Sequence, residues 1–238
     1  GGDRAYLDFA VAILLRFTDA DGGQPSTTVR YRWMSNPWRR LEYRHDWDSF
    51  APCFTFGHIL YQHSSRYELL SSGKAWRCRE AYKPGDAPPS DREEAFPELW
   101  NQYPEALLQL VSESGCHRVH QFAAKALRDC PQFCAEMPIE TLLHLLRQPY
   151  AETVELGFEW ARSHYNPDRP DLELMQALVE CLSGTARTQA QDWIAANPSE
   201  FLQETHLLAT LATSIYEDNR TFALRFLQVP FLPADTAH

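Results

Sequence analysis

Val119-His-Gln-Phe-Ala-Ala-Lys-Ala-Leu127 reads as the second helix of a helix pair, and equivalents of it follow along the chain. Val119, Val154, Arg187 and Arg220 occupy matching places, with Phe122, Gly157, Ala190 and Ala223 three residues on. Lys125, Trp160, Trp193 and Phe226 come next, followed by Ala126, Ala161, Ile194 and Leu227. Each second helix is preceded by a short apolar stripe: Leu107–Val111, Leu142–Leu146, Met175–Val179 and Leu208–Leu211. A polar or Gly/Pro-containing break at Ser114, Pro149, Gly184 or Asp218 separates the two helices. The offsets of about 35, 33 and 33 residues mark a repeated structural unit.

Burial explains the repetition. A pair of short helices cannot cover its own apolar stripe, whereas stacked pairs make a continuous core. Small residues at Gly157, Ala190 and Ala223 are expected to let helices approach closely. Trp160 and Trp193 are expected to fill the space between layers as core residues. Pro131, Pro167, Pro198 and Pro230 follow the second helices, where proline ends a helix and turns the chain.

On these residues, the segment from Pro104 to Gln228 resembles a HEAT-like (armadillo/HEAT-type) helical repeat. The period is shorter than the ~40–47 residues usual for such units and nearer the ~34 of tetratricopeptide units, whose Trp, Leu-Gly and Tyr pattern is absent. The resemblance implies an all-α fold, a right-handed stack of antiparallel helix pairs forming a short α-solenoid. A small irregular N-terminal part is expected over residues 1–88, with the array over 89–238.

The 238 residues are 44% hydrophobic, with 13 Phe, 10 Tyr and 7 Trp to anchor a core. No apolar run approaches the ~18 residues of a membrane span. Six cysteines at irregular spacing read as the buried thiols of a cytoplasmic protein. Gly1-Gly2 reads as an appended pair or as the start of a piece cut from a longer protein. The net charge of −10 is uneven: residues 1–100 carry 13 Lys/Arg against 14 Asp/Glu, and residues 101–238 carry 9 against 18. An acidic array is a poor match for a nucleic-acid backbone.

Taken in order, Asp3 to Phe17 is expected to be an amphipathic helix with Tyr6, Phe9, Ala10, Ile13, Leu14 and Phe17 on its apolar face. Thr18 to Thr28 reads as a loop. Val29, Tyr31 and Trp33 alternate with Arg30 and Arg32 as in a strand, with a turn at Asn36-Pro37 and Leu41 and Tyr43 returning. Asp48 or Ser49 is expected to cap a helix over Phe50–Leu70, stopped by Ser71-Ser-Gly73. Ala75 to Tyr82 is ambiguous. Lys83 to Ser90 is a proline-rich spacer, and Ser90 with Glu93 forms a capping box for a helix through Ala95 and Leu99.

Few residues combine into chemistry. Cys116, His117 and His120 lack the second cysteine pair of a zinc site, and adjacent helix residues point apart. His58 and His63 are spaced for different helix faces. The acidic pairs read as solvated faces and caps, Ser112–Gly115 lacks the features of a nucleophile elbow, and no phosphate-cradling glycine loop is present. No catalytic residue, cofactor or metal is expected. The exception is Arg30, Arg32, Arg39, Arg40 and Arg44, interleaved with Tyr31, Trp33, Trp38 and Tyr43. Arginine beside tryptophan is the chemistry of interface hot spots and of cation–π contact. The expected binding residues are Arg30, Arg32, Trp33, Trp38, Arg39, Arg40 and Arg44, and the expected role is a non-catalytic interaction scaffold for a protein partner. The alternative is a nucleic-acid binder or a DNA-repair glycosylase-like enzyme, since some HEAT-like proteins are of that kind.

Overall fold

The computed structural model describes residues 4–35 and 38–228. The chain divides into two compact units, residues 1–131 and 132–238. The division read near residue 88 therefore falls inside the first unit, which also takes in the first repeat.

The first unit opens with α1 (Arg4–Leu14) and a single 3-10 turn over Asp19–Asp21. A long antiparallel hairpin follows, β1 (Ser26–Ser35) and β2 (Trp38–Trp47). Next come α2 (Phe54–Leu60), β3 (Tyr67–Leu69) and β4 (Trp76–Cys78), with β3 and β4 forming a second small hairpin. The unit closes with α3 (Pro97–Gln102), α4 (Pro104–Glu113) and α5 (His117–Arg128). In α1 the buried residues are Leu7, Ala10, Val11 and Leu14, one clean i, i+3, i+4, i+7 stripe. Phe9, expected on that face, is 61% exposed. Asp3 lies outside the described residues.

The helix expected over Phe50–Leu70 is confined to α2. Ser64 breaks it: its hydroxyl accepts the backbone N–H groups of Arg66 and Tyr67, offering the chain an alternative to the helical ladder. The chain then extends as β3. Ser71-Ser-Gly73, read as a helix stop, is the hairpin loop, and Gly73 takes the left-handed conformation (φ 68°) open to glycine. Asp48 and Ser49 cap no helix, because α2 begins only at Phe54. Nor does a helix start at Ser90: residues 88–96 have no helical turn, and α3 starts at Pro97. Gly57 sits where a Cβ would lie 2.2 Å from the Trp76 indole nitrogen, so glycine is what lets α2 lie on β4.

The spacer from Lys83 to Ser90 does not run free. Lys125 donates to the carbonyls of Pro89 and Asp91, and Tyr82 donates to that of Asp86. These bonds tie the proline-rich segment to α5 and to its own start.

The short α6 (Pro131–Ala135) begins at the division between the units. The second unit continues with α7 (Ile139–Leu146), α8 (Ala151–His164), α9 (Leu172–Glu180) and α10 (Gly184–Ala196). It ends with α11 (Pro198–Phe201), α12 (Thr205–Thr213) and α13 (Glu217–Leu227). α7 pairs with α8, α9 with α10, and α12 with α13, while α9 touches both α7 and α12 and α10 touches α13. The pairs thus stack in sequence order around Leu146, Val154, Leu178, Ala190, Phe201 and Leu211. In the first unit α4 pairs with α5 in the same manner and packs against α1 and α3. Pro131 and Pro198 each start a short connecting helix, as suits the first helical position. Pro230 lies outside the described residues.

Aligning the pairs by the residue that precedes each second helix places Cys116, Tyr150, Ser183 and Tyr216 together. The offsets become 34, 33 and 33, so the first repeat is one residue out of register in the sequence reading. Ala123, not Phe122, is the equivalent of Gly157, Ala190 and Ala223, and all four are small and buried. At Gly157 a Cβ would lie 3.1 Å from that of Leu145, which confirms the close approach of α7 and α8.

The new register exposes a recurring joint. Four residues into the second helix stand His120, Arg187 and Arg220, and each donates to the carbonyl that ends the first helix. His120 Nε2 reaches Ser114 O at 2.9 Å, Arg187 Nη1 reaches Cys181 O at 2.9 Å, and Arg220 Nη1 reaches Ser214 O at 2.7 Å. A carbonyl only accepts, so Nε2 of His120 carries its proton. Carbonyls at a helix end lack intrahelical donors, and these side chains supply them. The fold is thus helix-dominated, with repeat-like paired helices and one hairpin region. Among the described residues no helix is long and apolar enough to cross a membrane.

Candidate functional site

The β1–β2 hairpin pairs Ser26 with Trp47 at its base and Ser35 with Trp38 at its tip, ten residues a strand. The turn residues Asn36 and Pro37 lie outside the described residues. Alternation of β-branched and aromatic side chains with arginine makes these strands, as read from Val29 to Trp33. They run further than that alternation indicated, taking in Ser26–Thr28 and His45–Trp47.

The base is tied down. Thr27 Oγ1 donates to Asp46 at 2.5 Å, and Trp47 Nε1 donates to Thr28 Oγ1 at 2.9 Å. The Thr27 hydroxyl, helped by Arg44 at 3.4 Å, holds the Asp46 carboxyl below its ordinary range. His45 meets Arg77 of β4 at 3.1 Å, where β2 runs beside β4. A groove of about 990 Å³ opens there, but its four basic residues (Arg44, Arg77, Arg79, Lys83) are matched by four acidic ones (Glu42, Asp46, Glu68, Glu80). It carries no excess field for a charged ligand.

Beyond the base the hairpin is exposed on both faces. Residues opposite one another in an antiparallel pair share a face. One face therefore carries Val29, Tyr31 and Trp33 of β1 beside Arg44, Glu42, Arg40 and Trp38 of β2. The other carries Arg30, Arg32 and Met34 beside Tyr43, Leu41 and Arg39. The seven expected binding residues are thus divided: Trp33, Trp38, Arg40 and Arg44 on the first face, Arg30, Arg32 and Arg39 on the second. Trp33 is 65% exposed and Trp38 78%. The Arg40 guanidinium lies 4.3 Å from the centroid of the Tyr31 ring, a cation–π contact across the two strands. Among the described residues Arg30, Arg32 and Arg39 make no ion pair or side-chain hydrogen bond. Tyr31, Val29, Leu41 and Met34 join the expected set only once the register is known.

The sequence reading missed a buried polar cluster near the hairpin base. Tyr67 donates to Asp48, and Arg118 reaches Asp48 Oδ2 at 2.8 Å. Arg66 grips Glu93 with two nitrogens, and Ser64 donates to Glu93 at 2.5 Å. Burial acts to raise Asp48, but the Tyr67 hydroxyl and the Arg118 charge outweigh it and hold the carboxyl below its ordinary range. Burial pushes the Tyr67 and Tyr61 hydroxyls well up. The charges answer one another, so the cluster fixes loops in place. Its members lie up to 70 positions apart, and no local pattern announces them.

The other candidates resolve into packing. Cys116 is buried and its thiol pushed up to about 11 by that burial. His120 is fully buried at its carbonyl. His58 lies edge-on to Phe54 and Trp76. Among the described residues no group of three or more His, Cys, Asp or Glu is placed to hold a metal ion. All six cysteines are free thiols, Cys53 half-buried and the rest buried.

Comparison with models of protein families, with curated proteins and with solved structures finds no match to this chain.

Proposed function

We propose that this chain is a non-catalytic protein-interaction module, and that its hairpin arm is the element that meets the partner. What supports the reading is one observation: Trp33 and Trp38 stand 65% and 78% exposed at the end of an arm with no core beneath it. A two-stranded hairpin alone is marginal in water, and large aromatics left mostly exposed on it gain little from burial. Tryptophan and arginine supply contact area and charge-assisted hydrogen bonds where partners bind. The paired helices fit a supporting role as a short right-handed, HEAT-like α-solenoid in a cytoplasmic scaffold, an array of the kind that displays an extended surface. That part of the reading is an analogy of architecture. The nucleic-acid or glycosylase-like alternative draws on the HEAT-like architecture and, for nucleic-acid binding, on the arginines of the arm.

A photo-crosslinking residue at position 38 of the full chain, irradiated in extract of the source cells, tests the proposal. The expected result is a discrete protein adduct that Trp33→Ser abolishes, while Trp33→Ser shifts stability by no more than about 0.5 kcal/mol, as for a surface site. Adducts with nucleic acid alone would overturn it. So would a Trp33→Ser chain that loses several times that stability, which would place the residue in a core.

A further inference from the structure

We infer that the outer edge of β1 is a docking edge for an extended protein segment in which carboxylates alternate with apolar side chains. The inference rests on the partner-binding reading above and specifies the partner's chemistry.

The edge is open. β1 has β2 on one side, and among the described residues no strand lies on the other. Among the described residues no backbone hydrogen bond outside the hairpin ladder uses any residue from Ser26 to Ser35. Every second residue of an edge strand turns its N–H and C=O outward, which makes ten residues a ready template for another strand. Proteins blunt such edges with charge, and Arg30 and Arg32 serve that end. Blunting has no use for Tyr31 and Trp33, which are 51% and 65% exposed between and beside them.

Strand addition accounts for both sets of side chains together. The side-chain period of a strand is two, and neighbours across a ladder share a face. A segment added along β1 sets alternate residues beside Arg30 and Arg32, and the intervening ones beside Val29, Tyr31 and Trp33. Unpaired arginines call for carboxylates, which they grip with two nitrogens at once. The aromatic row calls for apolar side chains. The segment that fits therefore alternates the two.

The remaining occupants fit less of the surface. A second copy of β1 paired antiparallel over its length sets Arg30 opposite Tyr31 and Arg32 opposite Val29, and β1 holds no carboxylate to answer either arginine. A single-stranded nucleic acid answers the arginines through phosphate and the aromatics through its bases, but it has no backbone that continues the ladder of alternating donors and acceptors along β1.

The test uses the intact chain and labelled synthetic peptides of about ten residues, the length that matches β1, read by fluorescence anisotropy. One alternates Glu and Val, a second alternates Lys and Val, and a third carries the Glu and Val residues in two blocks. The alternating Glu/Val peptide is expected to bind, and the other two to bind about tenfold more weakly or worse. N-methylation of its alternate amides on the side that faces β1 is expected to weaken it similarly. Arg30→Glu/Arg32→Glu, both exposed and expected to leave the thermal midpoint unchanged, should reverse the preference toward the Lys/Val peptide. Equal binding of the alternating and block peptides, or an unchanged preference in the double variant, overturns the inference. So does failure of the Glu/Val peptide to bind; a protein adduct at position 38 then still leaves the interaction role standing. A single-stranded oligonucleotide that binds the wild type but not the double variant, with no peptide binding, overturns both.

Discussion

Replacing Arg187 by Met tests whether the recurring joint holds the repeats. Methionine keeps most of the apolar stem and removes the guanidinium. That group donates to Cys181 O at 2.9 Å and to Leu182 O at 3.0 Å, meets Asp218 at 2.9 Å and lies 3.7 Å from the centroid of the Tyr216 ring. Cys181 is only 3% exposed, so its carbonyl stays dry when the donor is lost, which costs about 1–3 kcal/mol. Leu182 is 47% exposed, and water replaces the donor there at little cost. The Tyr216 contact adds about 0.5–2 kcal/mol. The Asp218 pair adds least, because that side chain is 34% exposed. The expected loss is about 1.5–5 kcal/mol, the sum of the dry carbonyl and the ring contact. Urea unfolding followed by hydrogen exchange resolved along the chain is the suitable assay, because two compact units need not unfold together. Protection should fall in α9 and α10 and hold in α4 and α5. Arg187→Lys should recover only part, since an ammonium cannot reach two carbonyls, a carboxylate and a ring face at once. A loss below about 1 kcal/mol, or full recovery by lysine, would refute the reasoning.

Gly57→Ala should destabilise the chain by about 1–3 kcal/mol or more in denaturant titrations, because the buried Trp76 ring must move for a Cβ to fit. Asp48 is held below the ordinary carboxylate range, so its stabilisation is complete above about pH 4 and fades as acid takes the pH down through its folded value. The stability gap between wild type and Asp48→Asn should therefore narrow in acid, and a gap that stays constant from neutral pH into that range contradicts the assignment. Trp160→Ala should cost about 3–5 kcal/mol by thermal unfolding. Trp193→Ala should cost about 1–2 kcal/mol, since Trp193 is half-buried and stacked on Tyr165 at 3.8 Å, and equal losses at the two positions would contradict that difference.

The repeat was legible because a helix pair must bury the same positions each time. Its register in the first unit was not, because Phe122-Ala-Ala-Lys-Ala126 offers several small residues to the alignment. The start of α5 after Cys116 picks Ala123, and the reach of His120 to Ser114 O agrees with it. The helix through Leu70 failed for a different reason. Tyr67 and Leu70 keep helical spacing, but the hydroxyl of Ser64 turns the chain before they are reached. Trp193 was overcounted as core, since its partner Tyr165 comes from the loop after α8, a residue that periodicity does not rank. At the arm, alternation told strand from helix, and composition picked out arginine and tryptophan. Sorting them onto two faces needs the pairing of Arg30 with Tyr43 and Trp33 with Arg40, which composition does not contain. The tie between Lys125 and the proline-rich segment depends on the tertiary fold alone.

The even spacing of the second helices bears on how such a chain changes length. Val154, Arg187 and Arg220 stand 33 residues apart at the same helical position. Each of the two arginines ends the helix just before its own, so each junction is completed by residues that travel with it. Loss or duplication of a stretch of 33 codons, wherever it begins in this region, brings one small residue into the place of another and one joint into the place of the next. Events of that length keep the small residues on the helix contacts, whereas insertions or deletions of other lengths inside a helix shift them off and cost stability.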